Sequence, residues 1–190
     1  MTSHDDPGWG SALRASGPLL FVPFFPLLVL ILRRKSLDAL TALRVLFLHY
    51  ASALILILIV SAIIQPRLLS EDAPVPILVV LGAGSIGSLF GLWWSRGRPL
   101  DTSNEQALAQ SYRTLFFLSM AFAQSPALFG FVGVFVLDAL WPYLVGLAIS
   151  AYASSTFAPS ARNLDRQQQQ ITASGSDLSL REAIQQQSSP

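Results

Sequence analysis

The chain predicts an all-α, polytopic integral membrane bundle of four or five transmembrane helices, and three observations carry that prediction. Four stretches, Val45 to Ile64, Pro76 to Trp94, Leu115 to Val136 and Ala139 to Phe157, are long and apolar enough to cross a bilayer as helices. A hydrocarbon core about 30 Å thick needs about 20 residues at a rise of about 1.5 Å each. The composition agrees, with 52% hydrophobic and 12% charged residues and a mean hydropathy of +0.52, outside the range usual for soluble domains. The basic residues, finally, collect in alternate connectors between the apolar stretches.

The first apolar segment, Leu19 to Leu32, is only fourteen residues long and contains Pro23 and Pro26, with Pro18 just before it. It spans if its helix starts near Trp9, with the prolines bending it; otherwise it lies as a re-entrant or interfacial segment. A cleaved signal peptide is not expected, because Asp5 and Asp6 precede the apolar stretch and Arg33, Arg34 and Lys35 follow it.

With the segments alternating, Arg33, Arg34, Lys35, Arg44, Arg96, Arg98, Arg113, Arg162, Arg166 and Arg181 fall on one side, and only Arg14 and Arg67 on the other. The positive-inside rule makes the richer side cytoplasmic, so the amino terminus is expected outside and the carboxyl terminus inside. The expected location is a bacterial inner (plasma) membrane. An interfacial first helix would move only the amino terminus.

The connectors are short. Gln65 to Val75 holds Pro66, Arg67, Glu71, Asp72 and Pro74, a polar outer loop with breakers at both ends. Asp138 sits in the turn before the last span, close to Trp141 and Pro142, and reads as a solvated turn carboxylate. Residues 1–157 thus form the transmembrane helical domain. Residues 158–190 form a Gln/Ser-rich cytoplasmic tail with Gln167 to Gln170 and Gln185 to Gln187, expected to be disordered for want of apolar surface to bury. Within it, Ser179 and Glu182 have the spacing of a capping box beside Leu178, Leu180 and Ile184, so a short helix is conceivable on a partner.

The absence of cysteine excludes disulfides, thiolate metal sites and cysteine nucleophiles. Gly82-Ala83-Gly84-Ser85-Ile86-Gly87 matches the dinucleotide-binding glycine fingerprint as a string. That fingerprint works only between a strand and a helix of a βαβ unit, and the neighbours here are membrane spans and a polar loop. Packing explains the glycines better: Ala83, Gly87 and Gly91 recur every four residues, with Gly84 and Ser88 one position along. Such a nearly bare helix face lets another backbone approach closely in lipid, within the subunit or across an oligomer contact.

Three intramembrane polar side chains are singled out, His49, Gln124 and Ser125. His49 is followed by Tyr50 and reads as an interfacial pair, since a proton relay or metal site needs companions and His4 lies in the amino-terminal tail. No metal, cofactor or catalytic residue is expected: no Ser, His and acid grouping is marked by spacing, and Lys35 is the sole lysine.

The stretch Leu81 to Val136 combines a glycine-rich span, a basic polar loop, Tyr112-Arg113-Thr114-Leu115-Phe116-Phe117 and Ala121-Phe122-Ala123-Gln124-Ser125-Pro126-Ala127-Leu128-Phe129-Gly130. It resembles the proteolipid c subunit of rotary ATP synthases. The resemblance implies a hairpin whose glycine-bearing first helix lies against a second helix. Gln124 stands where the family carries its ion-binding carboxylate, and an amide cannot take up and release a proton. Ser95-Arg96-Gly97-Arg98-Pro99 likewise replaces the family's Arg-Gln-Pro loop.

The expected function is therefore a non-catalytic integral membrane protein with a c-like hairpin, a structural or assembly subunit that does not itself move protons. Gly84, Gly87 and Gly91 would serve close packing, and Gln124 and Ser125 would bond between helices. The expected partners are the lipid bilayer and either further copies or other subunits of a membrane complex, with no nucleic acid. The alternative is a small transporter or channel whose path is lined by Gln124, Ser125 and His49.

Overall fold

The computed structural model describes residues 8–17, 39–69 and 75–186, and all its regular elements are helices. They are α1 (Gly8–Ser16), α2 (Ala39–Ile64), α3 (Val75–Arg96), α4 (Glu105–Leu137), α5 (Trp141–Ser155), α6 (Ala161–Ala173) and α7 (Leu180–Gln186). Among the described residues three helices are long and apolar enough to cross a membrane: α2, α3 over Leu78–Arg96, and α4. The segment 19–32, the residues Arg33, Arg34 and Lys35, and the loop positions Glu71, Asp72 and Pro74 lie outside the described residues.

The expected last span is shorter than Ala139 to Phe157. Pro142 sits in the first turn of α5, and the helix ends at Ser155 after 15 residues, about 22 Å at the α-helical rise and short of a hydrocarbon core. The fourth is longer than expected. α4 runs for 33 residues, about 50 Å, because Asn104 Oδ1 accepts the Ala107 N–H at 2.8 Å and starts the helix ten residues before the apolar stretch.

The chain divides into two compact units. The described residues of the first are 8–17, 39–53, 100–113 and 158–186, which include α1, the start of α2, the start of α4, α6 and α7. Its interior holds Leu40, Leu43, Val45, Leu46, Leu108, Leu164, Ile171, Leu180 and Ile184. Arg44 is 1% exposed; its Nε donates to the Pro159 carbonyl at 2.9 Å, and its guanidinium lies 5.6 Å from the Trp9 ring centroid. Trp9 in turn meets Phe47 edge to face, with centroids 5.8 Å apart.

The tail expected to be disordered is folded here as α6 and α7. Leu164 and Ile171, seven residues apart, share one face of α6 and are buried, and Leu180, Ala183 and Ile184 do the same on α7. The polar residues close the connection. Gln168 donates to the Leu178 carbonyl at 2.9 Å and accepts the Leu180 N–H at 2.8 Å, while Arg181 and Asp165 pair at 2.8 Å. Ser160 caps α6 by accepting the Asn163 N–H, and the Glu182 N–H points to Ser179 Oγ at 3.4 Å. Few apolar residues suffice when they fall on one face and Gln168 satisfies the loop backbone.

The second unit comprises described residues 54–69, 75–99 and 114–157, with the end of α2, all of α3, most of α4 and α5. Its core is Leu54, Ala127, Val134 and Tyr143, flanked by Ile57, Leu58, Phe131, Leu140 and Leu147. Its outward side chains are apolar too, among them Ile59, Ile63, Val79, Val80, Ile86, Phe90 and Val132. Helices that are apolar all round are what a lipid surrounding requires.

Candidate functional site

The glycines of α3 divide into two sets. A Cβ on Gly84 would sit 2.8 Å from the Phe129 ring of α4, and one on Gly91 would overlap the Phe122 ring. The two phenylalanines, seven residues apart on α4, therefore seat in the two gaps on α3, with Ser88 buried between them. Ser88 Oγ donates to the Gly84 carbonyl at 2.7 Å, which removes its polarity from the contact. Gly82, Ala83 and Gly87 face outward, and a Cβ on Gly82 or Gly87 would meet nothing within 4 Å. The structure thus brings Gly84, Ser88 and Gly91 together against α4 and leaves Ala83 and Gly87 on the open side.

A close backbone approach lies between α4 and α5. A Cβ on Gly146 would overlap the Pro126 carbonyl oxygen, and one on Gly130 would overlap that of Pro142. Both obstacles are backbone, which cannot rotate away. Pro126 brings no N–H to the helix, and the next N–H, that of Ala127, donates across to Ser150 Oγ of α5 at 3.0 Å. Tyr143, fully buried, donates its hydroxyl to the Leu54 carbonyl of α2 at 2.6 Å. At the far end of the α3–α4 contact the buried hydroxyls of Ser95 and Ser119 lie 3.3 Å apart.

The interhelical polar contacts are therefore made by Ser150, Tyr143, Ser95 and Ser119. Ser125 Oγ donates to the Ala121 carbonyl of its own helix at 2.9 Å, and Gln124 is half-buried one position before it. His49 is buried in the first unit, and Tyr50 beside it is exposed. Its Nδ1 lies 2.7 Å from the Val45 carbonyl, and its Nε2 has no partner among the described residues. Gly130, Gly146 and Ser150 escape a search by spacing within one helix, because each matters through a partner on another. The one local signal was Pro126 with Gly130 four residues on, which share a face of α4.

Two turns are fastened to one another at the other end of this unit. Asp138, at φ +50°, pairs with Arg67 at 3.3 Å and accepts from the Gln65 amide. Leu140 N–H donates to the Arg67 carbonyl at 2.9 Å and Trp141 N–H to that of Leu68 at 3.2 Å. Asp138 is thus exposed but engaged. Among the described residues no three His, Asp or Glu side chains come together as a metal-binding group. In comparisons with protein-family models, curated proteins and solved structures, nothing matches this chain.

Proposed function

We propose that this protein is a non-catalytic integral membrane subunit that contributes packing surface to a larger membrane assembly. The observation that carries the reading is the split of α3: Gly84 and Gly91 are filled by Phe129 and Phe122, while Gly82, Ala83 and Gly87 remain open on a helix long and apolar enough to span. In lipid, association rests on close backbone approach, and an open run of small residues offers it to a further helix. The resemblance of the α3–α4 stretch to a proteolipid c subunit supports a packing role without proton chemistry, since Gln124 carries no ionisable group. Arg96 at the end of α3 and Arg98 just after it favour a cytoplasmic position for that loop, in a membrane of the bacterial plasma-membrane kind.

The test is extraction of the tagged chain in mild detergent after an alkaline carbonate wash, followed by the mass of the particle. Retention in the washed membrane and a particle holding several copies, or other subunits, is expected. Gly87→Leu should break that particle without unfolding the chain, because its side chain enters open space. A 20.6 kDa monomer that lets solute cross liposomes would overturn the reading in favour of a small transporter or channel.

A further inference from the structure

The end of the second unit where α3 finishes and α4 enters differs in side-chain chemistry from the opposite end. Ser95 against Ser119, and Phe116 against Phe157 with ring centroids 5.9 Å apart, place the last turn of α3, the first part of α4 in this unit and the close of α5 together. Around them the exposed large side chains are aromatic: Trp93 at 69%, Trp94 at 47%, Phe117 at 48% and Tyr152 at 74%. At the other end they are mostly aliphatic, with Ile63, Ile64, Leu68 and Leu69, and Phe135 is the exposed aromatic there. Indole and phenol rings concentrate where hydrocarbon gives way to headgroups, because they present an apolar body and a polar edge.

Arg98 stands in this ring of aromatics. Its guanidinium carbon is 3.8 Å from the centroid of the Trp94 ring, and among the described residues no carboxylate pairs with it. A guanidinium held over an indole is fixed in place and still has N–H donors at its rim, in a fork that matches a phosphate. Phe90 and Trp93 extend along the same helix with ring centroids 5.6 Å apart.

We infer that Trp93, Trp94 and Arg98 form a binding site for the phosphate headgroup of an anionic membrane lipid, its acyl chain lying along Phe90 and Trp93. The inference rests on α3 crossing the membrane. A lipid fits where free phosphate does not. One exposed arginine holds a dissolved anion weakly, whereas a lipid adds apolar contact with Phe90 and Trp93 and is already confined to the bilayer.

The full chain is reconstituted in nanodiscs of equal phosphatidylglycerol and phosphatidylcholine, and the lipids retained on it are counted by native mass spectrometry. Preferential retention of phosphatidylglycerol is expected, falling about fivefold in Arg98→Gln, the change that about 1 kcal/mol per basic residue near an anionic leaflet gives. Arg162→Gln, an exposed arginine on α6, should leave it unchanged, as should excess inorganic phosphate. Equal retention of the two lipids, an unaltered preference in Arg98→Gln, or loss of the preference on adding phosphate would overturn the inference. A chain washed out of membranes by carbonate refutes the membrane reading itself. A retained chain with no Arg98 effect refutes only the lipid site.

Discussion

In the first unit the side chains that reach the surface include Arg162, Asp165, Arg166, Gln169, Gln170 and Glu182, while Arg44 and His49 are buried; in the second unit the surface carries isoleucine, valine, leucine and aromatics, with exposed charge at Arg67, Arg96, Arg98 and Asp138 near the helix ends. Among the described residues, Leu13 and Tyr50 are the exposed large hydrophobics of the first unit, and the rest belong to the second. The interiors differ as well. The first packs leucine and isoleucine around a charged hydrogen bond, and the second packs backbone on backbone through Gly130, Gly146 and Pro126. In water, apolar burial itself holds helices together, so small contact residues are not needed. In lipid that drive is missing and the contact must come from close approach and buried hydrogen bonds.

The comparison is most easily broken at Gly146. Gly146→Val should destabilise the second unit by about 3 kcal/mol or prevent its folding, because the new side chain meets the Pro126 carbonyl. Gly87→Ala should stay within about 1 kcal/mol of the parent. Both are measured by unfolding in mixed detergent. A Gly146 variant of parental stability would mean that α4 and α5 do not touch there.

Arg44→Met tests the first unit. Losing a charged donor to Pro159 should cost about 2 kcal/mol, seen as faster amide exchange and proteolysis in residues 158–186 with the second unit's exchange unchanged. Tyr143→Phe removes the bond to Leu54 and should cost about 1 kcal/mol, within the range for polar contacts between membrane helices. Ser150→Ala should cost about 0.6 kcal/mol in the same assay, the average for such bonds.

The smallest effect concerns Asp101, a fully exposed residue of the first unit. The Ser103 backbone N–H, bonded to its carboxylate at 3.0 Å, and then the Ser103 side chain hold its pKa below the ordinary 3.8. A depressed carboxylate contributes stability above its unfolded pKa and loses it as pH falls through the folded value. The contribution should therefore be intact above pH 3.8 and disappear only in stronger acid. Titration of the Asp101 carboxyl carbon by NMR should give a midpoint under 3.8, and Ser103→Pro, which removes the N–H, should raise it.

The three helices long and apolar enough to span were legible because a run of apolar residues declares itself without reference to any partner. The tail was not, since averaging Gln167 to Gln170 with their neighbours hides that Leu164 and Ile171 share a face and that Gln168 ties α6 to Leu178 and Leu180. Nor could spacing on α3 tell which of its small residues would be filled. The choice lay with Phe122 and Phe129, two side chains on another helix.

By itself the sequence determined the helical class, the membrane-length stretches and the bare faces, because hydropathy and side-chain size are properties of each residue in turn. Tertiary structure alone decided that Gly84 and Gly91 close against α4 while Gly87 stays open, that Gly130 and Gly146 meet backbone of the facing helix, and that Arg44 meets Pro159 across 115 positions of chain. Those outcomes depend on where a second backbone lies, and two helices must be in place before a missing Cβ is either a gap or a seat.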